Sequence, residues 1–551
     1  MAQGGRLAGR VNDGNAKWWV LGASCFALFM AILDNLVVNV ALPTISEDFS
    51  PTTTQLQWIV SAYTLVFAAL QITAGGLGDR FGRKRFFLFG VALFTTTSAL
   101  AALVQNTEWL IVARAVQGLG AAFIMPLSLS LISAVFPPEE RGKALGIWTA
   151  VSFSGLAFGP IVGGTIVEYF AWQWIFLINV PIGIIAFLIT SAVVRESRDE
   201  SGDVATDIPG TVLVTAAIAA LTYGLIEAGE RGWSDSLVLA AFAAAAILFP
   251  AFVYVEQRTA RPMVPLRFFK SSTFTGANLD SFAISFFISG IAFSMTLYWQ
   301  NVHGYSAIKT GLTMLPMVIT MMAFSPISGA LVNRIGTRNL ITVGMLITGV
   351  SAFMYLRTSV DGTFLQVVPA MVVMGFGMSL IFAPMTTAVL NSVESDKGGI
   401  ASAVNGAVRE MGFAFGVALL GTIMNQTYKS RFDGSSQVEG LRDPANSALA
   451  PLQPVVDQIG EGINYAGQVI YNPRYFAGVP TEVADILSSV SAAAFVDGMH
   501  RSFIITGAAL IGVAFVSFFL VKDSVAEAPA EETDEQAGPE IVPATGAALG
   551  E

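Results

Sequence analysis

The chain has 551 residues, of which 54% are apolar and only 12% charged, and its mean hydropathy is +0.65. That is about half the charged fraction of a soluble globular protein, so a water-soluble domain is excluded and a polytopic membrane protein is indicated. The net charge of −10 is mostly local, because residues 523–551 hold eight acids and no base.

A bilayer crossing needs about 20 mostly apolar residues. A basic head (Arg6, Arg10, Lys17) precedes the first apolar run, which is too long for a cleavable signal. In chain order, candidate spans lie near 18–42, 56–75, 86–105, 109–133, 143–167, 174–194, 208–227, 236–255, 274–299, 311–331, 339–356, 364–388, 399–424 and 502–521, fourteen in all. With the N-terminus inside, nineteen Lys and Arg fall on the inner side and three in the short outer loops. Both termini are therefore expected in the cytoplasm, with the chain multi-pass in the cell membrane. The expected division is a cytoplasmic segment 1–17, a six-helix half 18–194 and an inserted helix pair 195–273. A second half 274–521 follows, with a long outer loop 426–501 that includes the helix-like stretch 481–500 and acts as a lid or a connector. A disordered acidic tail 522–551 ends the chain.

Span 1 contains "AILDNLVVNVALP" (31–43), and its Asp34 is costly in hydrocarbon unless neutral, paired or wet. Next comes "GGLGDRFGRKR" (75–85), with Gly75, Asp79, Arg80, Gly82 and Arg83, and "SGALVNRIGTR" (328–338) repeats its order with Asn333 and Arg334. A repeat after the second span of each half suggests parallel halves with a site between them, a transporter architecture. Its bases fit a topology anchor. Asp79 does not, and is expected to cap a helix or pair with an Arg in a contact that breaks when the halves move. Asn333 predicts a weaker second latch. Arg114 lies about 9 Å below the outer surface and Asp34 about 25 Å above Lys17, so the two share a depth and should find each other or share a water pocket. A static pair that only fixes packing is the alternative.

In span 5, Gly155, Gly159, Gly163 and Gly164 make a smooth strip and Pro160 bends the helix. The strip serves either tight packing or a moving seal. Asp280, about 12 Å above the inner end of span 9, reads as a functional acid or a solvated helix end. Arg409 and Glu410 point about 100° apart, so each needs a partner elsewhere. Glu410 fits proton or cation recognition, or a structural network. Methionines crowd spans 9–12, as an adaptable pocket or as gap filling. Cys25 is the only cysteine, and His303 and His500 are the only histidines. No disulfide, metal or other cofactor is expected. No phosphate-binding loop suggests ATP drive.

These stretches resemble the major facilitator superfamily, and within it the fourteen-span drug:proton antiporters of the EmrB/QacA type. "LDNLVVNVALP" (33–43) is similar to the family's span 1 signature, with Leu36 where Thr is usual. "GGLGDRFGRK" (75–84), "LIVARAVQGLGAA" (110–122) and "GLAFGPIVGG" (155–164) resemble its loop, span 4 and antiporter motifs. "WQWIFLINVPIG" (172–183) and "ASAVNGAVREMGFAFGVALLG" (401–421) are similar to the fourteen-span branch. The resemblance implies an all-α transporter rather than an enzyme. Driven by a proton gradient, it would export lipophilic, often cationic small molecules as a monomer in the bilayer, without nucleic acid. With the resemblance beside their depths, proton coupling is expected of Asp34, Arg114 and Glu410, and of Asp280 with less support from the family, and substrate recognition of Asp34, Arg409 and Glu410. Gating would fall to the 75–83 and 155–164 residues with Asn333 and Arg334. An exporter of an endogenous lipid or metabolite is the near alternative, and a non-transporting sensor the more distant one.

Overall fold

The computed structural model describes residues 15–49, 51, 53–198, 207–259, 262–394, 397–442, 452–460 and 479–522. Most of the N-terminal segment and the acidic tail lie outside the described residues, as do 443–451 and 461–478 of the long loop.

The described chain is helical. The first half comprises α1 (Ala16–Phe49), α2 (Thr53–Phe81), α3 (Arg83–Ala101), α4 (Thr107–Val135), α5 (Pro138–Tyr169), the short α6 (Trp174–Leu177) and α7 (Asn179–Val193). Then come α8 (Ile208–Arg231) and α9 (Ser236–Arg258). The remainder comprises α10 (Ser272–Leu297), α11 (Ala307–Thr313), α12 (Leu315–Ile335), α13 (Thr337–Met354), α14 (Phe364–Asn391), α15 (Gly398–Asp433), α16 (Ser436–Leu441), α17 (Gln453–Gly460) and α18 (Thr481–Leu520). Among the described residues, twelve helices are long and apolar enough to cross a membrane. α3 and α5 pack among them as two further rods of the bundle. Each is less apolar for a visible reason. α3 opens on Arg83, Lys84 and Arg85, and α5 on Glu139, Glu140 and Arg141.

Local chemistry sets the helix ends. The side chains of Asn106, Asp235 and Ser271 accept backbone N–H groups at the starts of α4, α9 and α10, donors that a helix cannot satisfy internally. Gly82 between α2 and α3 has φ 122° and Gly336 between α12 and α13 has φ 85°. Side chains rarely adopt that backbone, which explains why both copies of the repeated motif keep a glycine there.

The packing repeats as the sequence does. In the first half α1 touches α4, α5 and α7, α4 touches α2 and α3, and α3 touches α7. The second half reproduces these contacts: α10 with α14, α15 and α18, α14 with α12 and α13, and α13 with α18. The halves meet through α2 against α15 and α5 against α12, again a symmetric pair. α8 and α9 pack on each other, with α8 beside the α2–α15 seam.

The structure refines three expectations. Among the described residues of 426–501, most are helical. α15 runs on to Asp433 and α18 begins at Thr481, so both helices extend past the apolar spans. The extensions are stable because Tyr428, Phe432, Val438, Leu441, Val456, Ile459, Val483 and Leu487 form one buried cluster. Tyr428 Oη ties it, 2.8 Å from Ser491 Oγ and 3.1 Å from Ile459 O. Second, the glycine strip of α5, with Pro160 inside the same helix, lies mainly within one half. A Cβ on Gly155, Gly159 or Gly163 would meet Ile32, Leu36 or Val37 of α1, and only Gly164 faces the other half, at Ile308 of α11. Third, Met317, Met321, Met345, Met371, Met374, Met378 and Met385 are buried in the core of the second half. They fill that core rather than line an open stripe, as a flexible thioether side chain does well.

Candidate translocation site and its gates

Asp34 and Arg114 meet, as their shared depth predicts. Both are fully buried, and Arg114 Nη1 donates to Asp34 Oδ2. The other carboxylate oxygen accepts from Gln117 Nε2 at 2.9 Å and from Asn179 Nδ2 at 2.7 Å. Asn179 also reaches Ser98 Oγ at 3.0 Å. Arg114 donates through Nε to Ile59 O at 3.2 Å and through Nη1 to Gln117 Oε1 at 2.7 Å, and its guanidinium lies 4.4 Å from the Tyr63 ring. Five helices of the first half thus converge on one ion pair. Its Arg114 Nη2 is buried and has no partner among the described residues. An orphaned donor on a buried cation costs free energy, so this cluster is held short of full satisfaction.

The amides were missed in the sequence. Gln117 follows Arg114 by three residues, so it shares a helix face, and Asn179 interrupts an otherwise oily run. A search for amides inside apolar spans would have found both.

Arg409 and Glu410 make no ion pair with each other, although each acts on the other electrostatically. Arg409 is buried and crosses from α15 to α4, where its Nη2 lies 2.9 Å from Met125 Sδ. Gln71 of α2 donates to the same sulfur at 3.5 Å. A thioether is a weak acceptor for a guanidinium. Glu410 is half-buried, with no hydrogen bond or ion pair among the described residues, and lies near enough to Tyr63 to act on it electrostatically. Tyr63 is therefore within electrostatic reach of both Arg114 in its own half and Glu410 of the other. Asp280 is fully buried within the second half, accepting from Ser517 Oγ of α18 at 2.7 Å. It is not a solvated helix end. Its Oδ1 has no partner among the described residues, and it joins neither of the other acids.

At the end of the bundle where α1 begins, Asp79 holds the halves together. It accepts from Gly399 N at 3.1 Å and Ile400 N at 2.7 Å, the first turn of α15, and from Arg83 Nε at 2.8 Å. Orphan N–H groups and the positive end of α15 suit a carboxylate. The backbones are close: a Cβ on Gly75 would sit 2.7 Å from Gly399 O. Arg80 reaches Pro262 O at 3.4 Å. The second copy is weaker, as expected. Asn333 donates to Glu139 O at the start of α5 at 2.7 Å, a single neutral bond, and Arg334 is exposed. Two glycines not singled out in the sequence make the matching contact between α5 and α12. A Cβ on Gly142 would lie 2.2 Å from Gly329 O, and one on Gly146 would lie 2.6 Å from Ser325 O.

Replacing Asp79 by Asn should turn one accepting oxygen into a donor that faces backbone N–H groups. Each such charged hydrogen bond is worth about 1.5–3 kcal/mol, so the closed end should lose at least about tenfold in population. Transport should fall while protein abundance holds, checked by vesicle flux beside quantitative immunoblotting. Normal flux at normal abundance would reduce Asp79 to a topology residue.

Two repeated helical arrays with buried charge between them define a polytopic membrane transporter. Residues 24–417 match the Major Facilitator Superfamily, and the chain belongs to that family. It is 32% identical over 535 residues to the tetracenomycin C resistance and export protein of Streptomyces glaucescens, covering 97% of this chain and 96% of that one. It is 34% identical to the puromycin resistance protein pur8 of Streptomyces alboniger, over 86% of this chain and 94% of the relative. The multidrug resistance protein Stp of Mycobacterium tuberculosis H37Rv is 35% identical over 73% of this chain and 75% of its own length. Among solved structures, the proton:xylose symporter XylE superposes with a TM-score of 0.59 at 13% identity, covering 93% of this chain and 97% of that one. The human organic anion transporter MFSD10 gives 0.58 at 12% identity, covering 92% and 99%. These two likenesses concern the fold alone.

Proposed function

We propose that this transporter exports lipophilic, often cationic small molecules in exchange for protons, by alternating access between two six-helix halves. The relatives named for antibiotic resistance and export support outward transport of small molecules. Fourteen crossings with both termini in the cytoplasm complete the reading, in line with the basic residues at the α2–α3 and α12–α13 turns. The insertion is α8 with α9.

The observation that carries the coupling is the buried Asp34–Arg114 pair with its orphaned Nη2. Protonating Asp34 removes the charge that Arg114 faces. The guanidinium must then seek another acceptor, and the helices that hold it rearrange. Glu410, half-buried in the opposite half and within electrostatic reach of Tyr63, would attract a positive ligand. Flux in proteoliposomes under an imposed pH gradient tests the whole reading. Uphill export of dyes or antibiotics, collapsing when the gradient is dissipated, is expected. Flux only of lipids would support the endogenous-substrate alternative, and no gradient dependence would defeat proton exchange.

Glu410→Gln should separate substrates by charge. Two unit charges 4 Å apart attract by about 1–4 kcal/mol in a wet protein environment, so export of a cation should fall roughly tenfold or more. A neutral compound of similar shape should be nearly unaffected, since the apolar contacts remain. Equal losses for a matched neutral and cationic pair would remove Glu410 from recognition.

A further inference from the structure

Asp207 caps the start of α8, and its Oδ1 accepts from Gly210 N at 2.9 Å. Glu256 lies in the last turn of α9, where its Oε1 accepts from Met263 N at 3.2 Å and Val264 N at 3.4 Å. Only 6% of Asp207 and 3% of Glu256 is exposed. The remaining oxygens, Asp207 Oδ2 and Glu256 Oε2, are buried with no hydrogen-bond partner among the described residues. The two carboxyls flank one glycine: a Cβ on Gly210 would sit 2.2 Å from Asp207 Oδ2 and 2.7 Å from Glu256 Oε1.

We propose that Asp207 and Glu256 share one proton, forming a second proton-binding site that belongs to the inserted helix pair. Two carboxylates are acceptors only, so neither can satisfy the other. A single proton makes one of them a donor and gives the orphaned Asp207 Oδ2 a partner in the Glu256 carboxyl across Gly210. It also removes the repulsion of two buried like charges, which keeps such pairs from ionising together. The proton belongs to the pair rather than to either residue.

The location gives the proton a consequence. The residues that Glu256 holds, Met263 and Val264, belong to the segment packed on α2. Met263 Cε would lie 3.4 Å from a Cβ on Gly76, Met263 Sδ accepts from Thr211 Oγ1 at 3.0 Å, and Arg80 donates to Pro262 O. Gly76 and Arg80 flank Asp79, which grips α15. The other charged groups on surrounding elements are engaged or distant in role. Asp79 is bonded to Arg83, Arg258 lies 4.2 Å from the Tyr254 ring, Arg267 is paired with Glu394, and Glu227 on α8 is paired with Arg231. Lys270 follows Arg267 in the turn Leu266–Lys270. Losing the shared proton places two like charges around Gly210, and their repulsion pushes the Glu256 carboxylate away from Asp207 and shifts residues 262–264 with it, beside the latch.

Infrared difference spectroscopy of the purified full-length protein tests this without reference to transport. Wild type minus Glu256→Gln, and wild type minus Asp207→Asn, should each show loss of one protonated carboxylic acid band at neutral pH. That band should titrate away in wild type on alkalinisation. Both variants should keep a folded melting transition, because each amide donates to the partner carboxylate as the proton did. Where one variant fails to fold, the other decides. Superimposable spectra would mean both carboxyls are ionised and overturn the proposal. A band lost in only one of two folded variants would assign the proton to a lone acid and overturn the sharing. In vesicles, Glu256→Gln should blunt the alkaline decline of flux, and an altered band without flux under any condition would fault the transport reading instead.

Discussion

Asp34→Asn is expected to abolish gradient-driven export of every substrate, neutral or cationic. The amide oxygen that replaces the carboxylate could still accept from Gln117 and Asn179, so the shape of the cluster is nearly kept. What disappears is the charge opposite a fully buried Arg114. Removing one partner of a buried pair costs about 3–5 kcal/mol, because the other charge is left uncompensated. Part of that should appear as lower protein abundance, and the rest as a frozen equilibrium, since the protonation step no longer exists. Downhill leakage of substrate can survive, but uphill export should fall at least about a hundredfold, given about 1.4 kcal/mol per decade. The double variant Asp34→Asn/Arg114→Gln separates the two effects. Neutralising Arg114 removes the stranded charge and should recover abundance without recovering uphill flux. Undiminished uphill export by Asp34→Asn would sink the coupling role, whereas rescue of export by the double variant would make the pair a packing device.

Gly142→Val should be the other large effect. The backbones of α5 and α12 touch at Gly142 and Gly329, where even one methyl group would sit 2.2 Å from a carbonyl oxygen. Both neighbours are backbone and cannot swing aside, so the helices must part by roughly an ångström or more. Only the conformation closed at this end needs the contact, so the variant should insert normally yet fail to complete the cycle. A flux loss of at least about tenfold is expected, corresponding to about 1.4 kcal/mol against the closed state. Accessibility gives an independent reading. In a Cys25→Ser background, a cysteine replacing Ser325 should react faster with an aqueous thiol reagent when Gly142 is replaced by Val. Unchanged flux and unchanged labelling would mean that this closure is incidental.

The sequence is unevenly informative along its length. The apolar lengths placed the rods, because a bilayer demands about 20 residues per crossing regardless of neighbours. The repeated Gly–Leu–Asp/Asn–Arg–Gly pattern foretold the two halves, since Gly82 and Gly336 answer to the same backbone requirement. Depth alone paired Asp34 with Arg114, because helix rise converts residue number into height. What a linear chain cannot supply is azimuth and neighbour. It left open whether the α5 glycines face α1 or the opposite half, and the tertiary structure turned three of them toward α1 and set Gly142 and Gly146 at the seam instead. It hid Gln117 and Asn179 as donors to Asp34, because amides attract notice only once a carboxylate is seen to need them. Packing, not sequence, placed Arg409 on Met125 of another helix and brought Asp207 to Glu256 across nearly fifty residues. Residue order determines what each helix can bury and at what height. Only packing decides which buried polar atom meets which, and those meetings are where charge can be moved.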